Sequence, residues 1–139
     1  MNEVLLKIGS RKLLPVFIVI SVIILLRGHN HPGGGFIGAL VFSAGYILVA
    51  IGNGVSYACR YLIIKPWNLI PVGLLTAIVS GIPALTSGKP FLSGLWYTIN
   101  FFDLIKIKLG TPLLFDVGIY ITVAGMIMTV VFVIIDELE

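Results

Sequence analysis

Residues 27–38 read RGHNHPGGGFIG and separate two long apolar runs, one before Arg27 and one after Gly35. A cation, two histidines, a proline and three consecutive glycines cannot continue a greasy helix. Proline and glycine are turn-formers, and the charged groups seek a polar surface. The stretch therefore marks a tight connection where the chain leaves an apolar layer and re-enters it.

Working outward, the rest of the chain fits that reading. Of 139 residues, 58% are hydrophobic and only 11% are charged, with a mean hydropathy of +1.12. That leaves too little polar surface for a water-soluble globule of this size. Four apolar stretches, from about Leu13 to Leu26, Phe36 to Tyr61, Trp67 to Thr86 and Pro112 to Ile135, approach the roughly 20 residues that a helix needs to cross a bilayer. Isolated strands would leave backbone groups unpaired in lipid. The expectation is an all-α membrane protein, one transmembrane domain over residues 1–139, with four transmembrane helices, a glycine-rich first loop and a longer interfacial third loop. Lys7, Arg11 and Lys12 before the first stretch imitate a secretory signal, but no small-residue cleavage pattern follows.

The remaining connections differ in kind. RYLIIKPW, residues 60–67, is the short connection between the second and third helices. In the third connection, residues 87–110, DLIKIKLG alternates apolar residues with Lys106 and Lys108, and FLSGLWYTINFF supplies interfacial aromatics. That pattern predicts a surface hairpin or a half-buried interfacial segment. Residues 1–12 predict a short amphipathic lead-in helix, and Pro15 a bend.

Four crossings place both termini on one side. Lys7, Arg11, Lys12, Arg60 and Lys65 fall there, against Arg27, Lys89, Lys106 and Lys108 opposite, a slight bias toward cytoplasmic termini. The net charge of +3 is scattered at segment ends and is no nucleic-acid footprint. Cys59 is the only cysteine, so no internal disulfide forms.

Small residues mark contact faces. Gly38, Gly45, Gly52 and Cys59 recur every seven residues; Gly73, Ala77, Ser80 and Ala84 follow in the third helix, and Gly118, Thr122, Gly125 and Thr129 in the fourth. Small stripes let backbones approach closely, which drives helix association in lipid. The first helix offers almost none.

The middle of each expected span, around Val19, Ile47, Ala77 and Val123, carries no ionisable residue. A chain that moves ions alone needs such a group, so this one is expected to be part of a larger machine. Asp116 is the one carboxylate inside a span. Thr111 as N-cap and Pro112 after it start that helix, and the helix dipole favours a negative charge in its first turns. Asp116 and Tyr120 point away from the Gly118 and Gly125 stripe, so Asp116 either stabilises the helix end or faces a partner or wet crevice.

Arg27, His29, His31 and Asp116 share one membrane surface, and pairing of Arg27 or a histidine with Asp116 would tie the glycine loop to the fourth helix. Pro32, Gly33, Gly34 and Gly35 allow the tight turn. No further ligands accompany the histidines, so neither a metal nor another cofactor is expected. No nucleophile, base and ligand constellation indicates an enzyme.

Two motifs, LRGHNHPGGGFIGAL at 26–40 and KLGTPLLFDVGIYITVAG at 108–125, closely resemble the MrpB or MnhB family of multisubunit Mrp-type cation/proton antiporters. The likeness extends over nearly the whole chain. Arg27, Gly28, His29, Pro32, Gly33, Gly34, Gly35, Phe36 and Gly38 match the first motif. Gly110, Thr111, Pro112, Phe115, Asp116, Gly118 and Tyr120 match the second. Ala39 stands where glycine is expected in many relatives, and the basic loop before Lys108 is unusual for the family. The resemblance implies an accessory subunit in a prokaryotic cytoplasmic membrane. It also implies large antiporter-like partners, small hydrophobic partners, surrounding lipid, and transport of Na+ and H+ by the whole complex. The same module in a proton-coupled hydrogenase or respiratory complex is one alternative, and a stand-alone anchor or small channel another.

Overall fold

The computed structural model describes residues 2–28, 34–101 and 105–138. Its elements are helices α1 (Asn2–Gly28), α2 (Gly34–Asn53), α3 (Val55–Tyr61), α4 (Pro66–Val79) and α5 (Ile82–Thr86), strands β1 (Trp96–Phe101) and β2 (Ile105–Gly110), and helix α6 (Thr111–Leu138). Four stretches, Glu3–Gly28, Gly34–Asn53, Pro66–Thr86 and Thr111–Leu138, are long and apolar enough to cross a bilayer. The chain is a multi-pass membrane protein. The four crossings form a row in the order α1, α2, α6, α4. About half of α2 is buried within the chain, whereas α1 and α4 flank the row and turn apolar faces outward.

Glycine stripes set these contacts. A Cβ on Gly45 would meet Phe17, and one on Gly52 would meet Ser10 and Leu6, so this stripe of α2 packs on α1. Gly118 lies on the backbone of Ala77, Gly73 on Thr122, and Gly125 on Pro66 and Leu69, which interlocks α4 with α6. Between them, Met128, Phe132, Val49, Ala50 and Ala124 fill the α2–α6 seam. The first helix does have a contact stripe: Ser10, Leu14, Ser21 and Leu25 are all buried, although polar and bulky residues alternate in it.

Several expected boundaries shift. The lead-in segment and the first crossing are one continuous helix through Pro15. The second helix does not run on to Tyr61. It stops at Asn53, because Gly54 adopts φ 87° and ψ 153°, a conformation that side chains resist. Cys59 consequently leaves the α2 stripe and lines a small cavity with Thr129 and Asp136 of α6. The third helix breaks as well, at Ser80–Gly81, before Pro83 opens α5.

The third connection does form a hairpin. β1 pairs antiparallel with β2, from Trp96 opposite Gly110 to Phe101 opposite Ile105, and β2 passes directly into α6. Thr111 is the first residue of α6 rather than the residue before it. Its hydroxyl accepts the N–H of Leu95 at 3.1 Å while its own N–H donates to the Leu95 carbonyl at 3.0 Å. The expected cap thus clamps the hairpin to the helix.

The start of α4 packs far along α6: the Pro66 carbonyl lies against Gly125, midway along its 28 residues. At 1.5 Å per residue, that is about 20 Å from either end of the helix. The backbone of Lys65, the residue before α4, is level with this midpoint.

Candidate functional site

The site is built where the start of α2 crosses α6. The end of α1 and the start of α2 touch: a Cβ on Gly28 or Gly34 would run into the other residue's backbone. One residue later, Gly35 lies against the backbone of Asp116, where a Cβ would come within 2.5 Å of the Asp116 carbonyl oxygen. Only glycine permits that approach. The two ends of the first loop and the first turns of α6 are thus brought together, as the shared surface predicts.

His29, His31, Pro32 and Gly33 lie outside the described residues. Arg27 is exposed at the end of α1, and Asp116 is half-buried.

One turn deeper, Gly38 sits against the Tyr120 ring and the Ser21 carbonyl. The Tyr120 hydroxyl shares a hydrogen bond of 2.9 Å with Ser21 Oγ, and Ser21 can in turn donate to the Ile18 carbonyl at 2.8 Å. Phe42 packs between Tyr46 and Tyr120, with ring centroids 4.9 Å and 5.7 Å away. Tyr120, on the side of α6 away from the Gly118 and Gly125 stripe, meets α2. α6 uses both faces inside the row, small residues toward α4 and Tyr120 toward α2. Ser43 adds a long contact of 3.5 Å to the Ala124 carbonyl. Every buried side-chain polar atom among the described residues has a partner, so this seam holds hydroxyls in fixed places without exposing them to lipid.

Pro112 fits against Gly94 and Gly110 at the hairpin side of the membrane. At the terminal side, Arg11 Nε donates to Asn53 Oδ1 at 2.8 Å, and its guanidinium lies 4.2 Å from the Tyr57 ring centroid. Asn53 Nδ2 donates to Ser10 Oγ at 3.0 Å, and Tyr57 and Tyr61 share a hydroxyl contact of 2.9 Å. This lock joins α1 to the α2–α3 turn.

Sequence reasoning overlooked Ser10, Ser21 and Asn53. Ser10, Leu14, Ser21 and Leu25 fall at spacings of four, seven and four, a helical period that a search for glycine alone passes over. For Asn53 no comparable signal exists.

Residues 5–129 match the family described as "Domain related to MnhB subunit of Na+/H+ antiporter". The B-type Na(+)/H(+) antiporter subunit of Bacillus subtilis is 30% identical over 139 residues, covering 98% of this chain and 95% of that protein. The putative antiporter subunit mnhB2 of Staphylococcus epidermidis is 33% identical over 129 residues, covering 93% and 92%. A solved structure of the Mrp complex from Dietzia sp. DQ12-45-1b contains the same fold, with a TM-score of 0.78 and 32% identity over 94% of this chain. The chain spans only 14% of that solved chain's length. With the glycine entry, the Asp116 crossing and most of the four-helix row inside the matched region, the chain belongs to the MnhB family.

Proposed function

We propose that the chain is an accessory integral-membrane subunit of a multisubunit Na+/H+ antiporter of the Mrp type. The observation that carries this reading is the match along nearly its full length to proteins named as antiporter subunits of the B type. The fold supports a part rather than a whole transporter. Four crossings lie in a row, the polar side chains of the seam are spent on one another, and both flanks offer apolar faces to neighbours or lipid. The role is that of a transporter subunit and not of an enzyme.

In this reading the partners are large antiporter-like subunits and small hydrophobic subunits, and Na+ and H+ cross the complex they form together. The membrane is the prokaryotic cytoplasmic membrane, with the termini in the cytoplasm. Arg27, His29 or His31 pairs with Asp116 and fixes the glycine loop over α6, an arrangement favoured by the contact of Gly35 with Asp116.

Purification of the tagged chain from native membranes tests the assignment. The expected result is co-purification with antiporter subunits, and no sodium-dependent proton flux from vesicles holding this chain alone. Robust exchange by the single chain would overturn it. Asp116→Asn then separates charge from shape: an intact complex with slowed antiport assigns the carboxylate to ion handling, and lost assembly assigns it to the tie.

A further inference from the structure

We infer that the unwound segment Leu62–Lys65 is the seat of a membrane-embedded, acidic segment of a partner subunit. Depth comes first. Besides the Pro66–Gly125 contact, the Tyr46 hydroxyl reaches the Tyr61 carbonyl at 3.5 Å. Leu62, Ile63 and Ile64 line a cleft of about 410 Å³ with Phe42, Tyr46 and Tyr120. These partners belong to the middle of α2 and the first half of α6. The bilayer continues beyond this level, because Met126, Val130, Val133 and Ile134 of α6 remain exposed and apolar toward the terminal side.

An irregular backbone at this depth is costly. The N–H of Leu62 donates to Cys59 and the carbonyl of Lys65 accepts from Asn68. Between those two bonds, no hydrogen bond among the described residues engages the N–H groups of Ile63, Ile64 and Lys65 or the carbonyls of Leu62, Ile63 and Ile64. Hydrocarbon cannot satisfy them, and unwound backbone persists in a membrane only against protein or water.

The Lys65 ammonium lies 5.2 Å from the Trp67 ring centroid, and no carboxylate among the described residues pairs with it. Asp136 borders the cavity beside Pro66 and Trp67 without forming that ion pair. An intramembrane cation calls for an opposite charge. Ile63 is fully exposed next to it.

The occupant that supplies hydrogen-bonding groups, an apolar surface for the cleft and a negative charge together is a protein segment bearing Asp or Glu at mid-depth. An acyl chain supplies only the apolar part. In the solved relative this fold is a small fraction of a far longer chain, so such a neighbour is covalently at hand there.

This inference rests on the assembly proposed above, and the experiment separates the two. The complex is purified from native membranes with a photoreactive benzophenone amino acid at Ile63. Irradiation should give an adduct with a second subunit, mapped to a stretch that contains Asp or Glu. Lys65→Met should lower antiport at least tenfold or prevent assembly, with the chain still present in the membrane, while Lys65→Arg retains at least half of the activity. Adducts with lipid alone, labelling of Ile63→Cys by a membrane-impermeant thiol reagent in a Cys59→Ser background, or full activity of Lys65→Met would overturn the seat. Failure of the unaltered chain to co-purify with antiporter subunits would instead overturn the assembly.

Discussion

The α2–α6 seam and the α3–α4 break lie at the same level along α6 and solve the problem of polar groups there in opposite ways. In the seam, both backbones are continuous helices, and the interior hydroxyls of Ser21, Ser43 and Tyr120 find partners within the chain. In the break, four residues abandon the helix, backbone groups find no hydrogen-bond partner among the described residues, and a lysine stands beside them. The seam is finished by its own sequence. The break, on the inference above, is finished by a partner, and the difference separates residues that serve folding from residues that serve assembly.

Substitutions can sharpen that contrast, beginning with the most severe. Gly118→Leu forces a side chain onto the Ala77 backbone, where even a Cβ would lie 2.5 Å from Ala77 N. Because backbone cannot yield as a flexible side chain can, the folded chain should be lost, seen as at least a tenfold drop in its amount in the membrane fraction. Gly54→Val should cost about 1–3 kcal/mol through its strained backbone conformation, measured as a lower unfolding midpoint in detergent titration. Asn53→Leu removes the acceptor of Arg11 and should cost about 1 kcal/mol in the same titration. Ser21→Ala removes a single interhelical hydroxyl bond, and about 0.6 kcal/mol is expected. If Gly118→Leu left the chain abundant, the claim that the α4–α6 stripe is structural would fall. If Ser21→Ala cost more than Gly54→Val, the ordering between seam and turn would be reversed.

How much the sequence disclosed depended on the period of the signal. Apolar stretches and the glycines at 38, 45, 52, 73, 118 and 125 announced four crossings and three of their contact faces, because hydrophobicity and side-chain size are local properties that repeat with the helix. The β-hairpin was legible in the alternation around Lys106 and Lys108. The break at Gly54 was not, since glycine is common in membrane helices and Gly52 and Cys59 kept the seven-residue spacing across it. The place of Lys65 was hidden for a related reason. Lysine, proline and tryptophan together resemble an interfacial belt, and only the packing of Pro66 on Gly125, far along the chain, sets them level with the middle of α6. The direction of Tyr120 depended likewise on which neighbour α6 would choose, a matter of tertiary order that one helix cannot encode.

One further point follows from the joint at Gly110 and Thr111, where strand becomes helix with no residue between and the two Leu95–Thr111 bonds clamp the corner. Sheet and helix therefore join without a linker residue. A displacement of the hairpin would be carried into the first turn of α6, the rod against which both α2 and α4 bear, so the ribbon could serve as a handle on that helix.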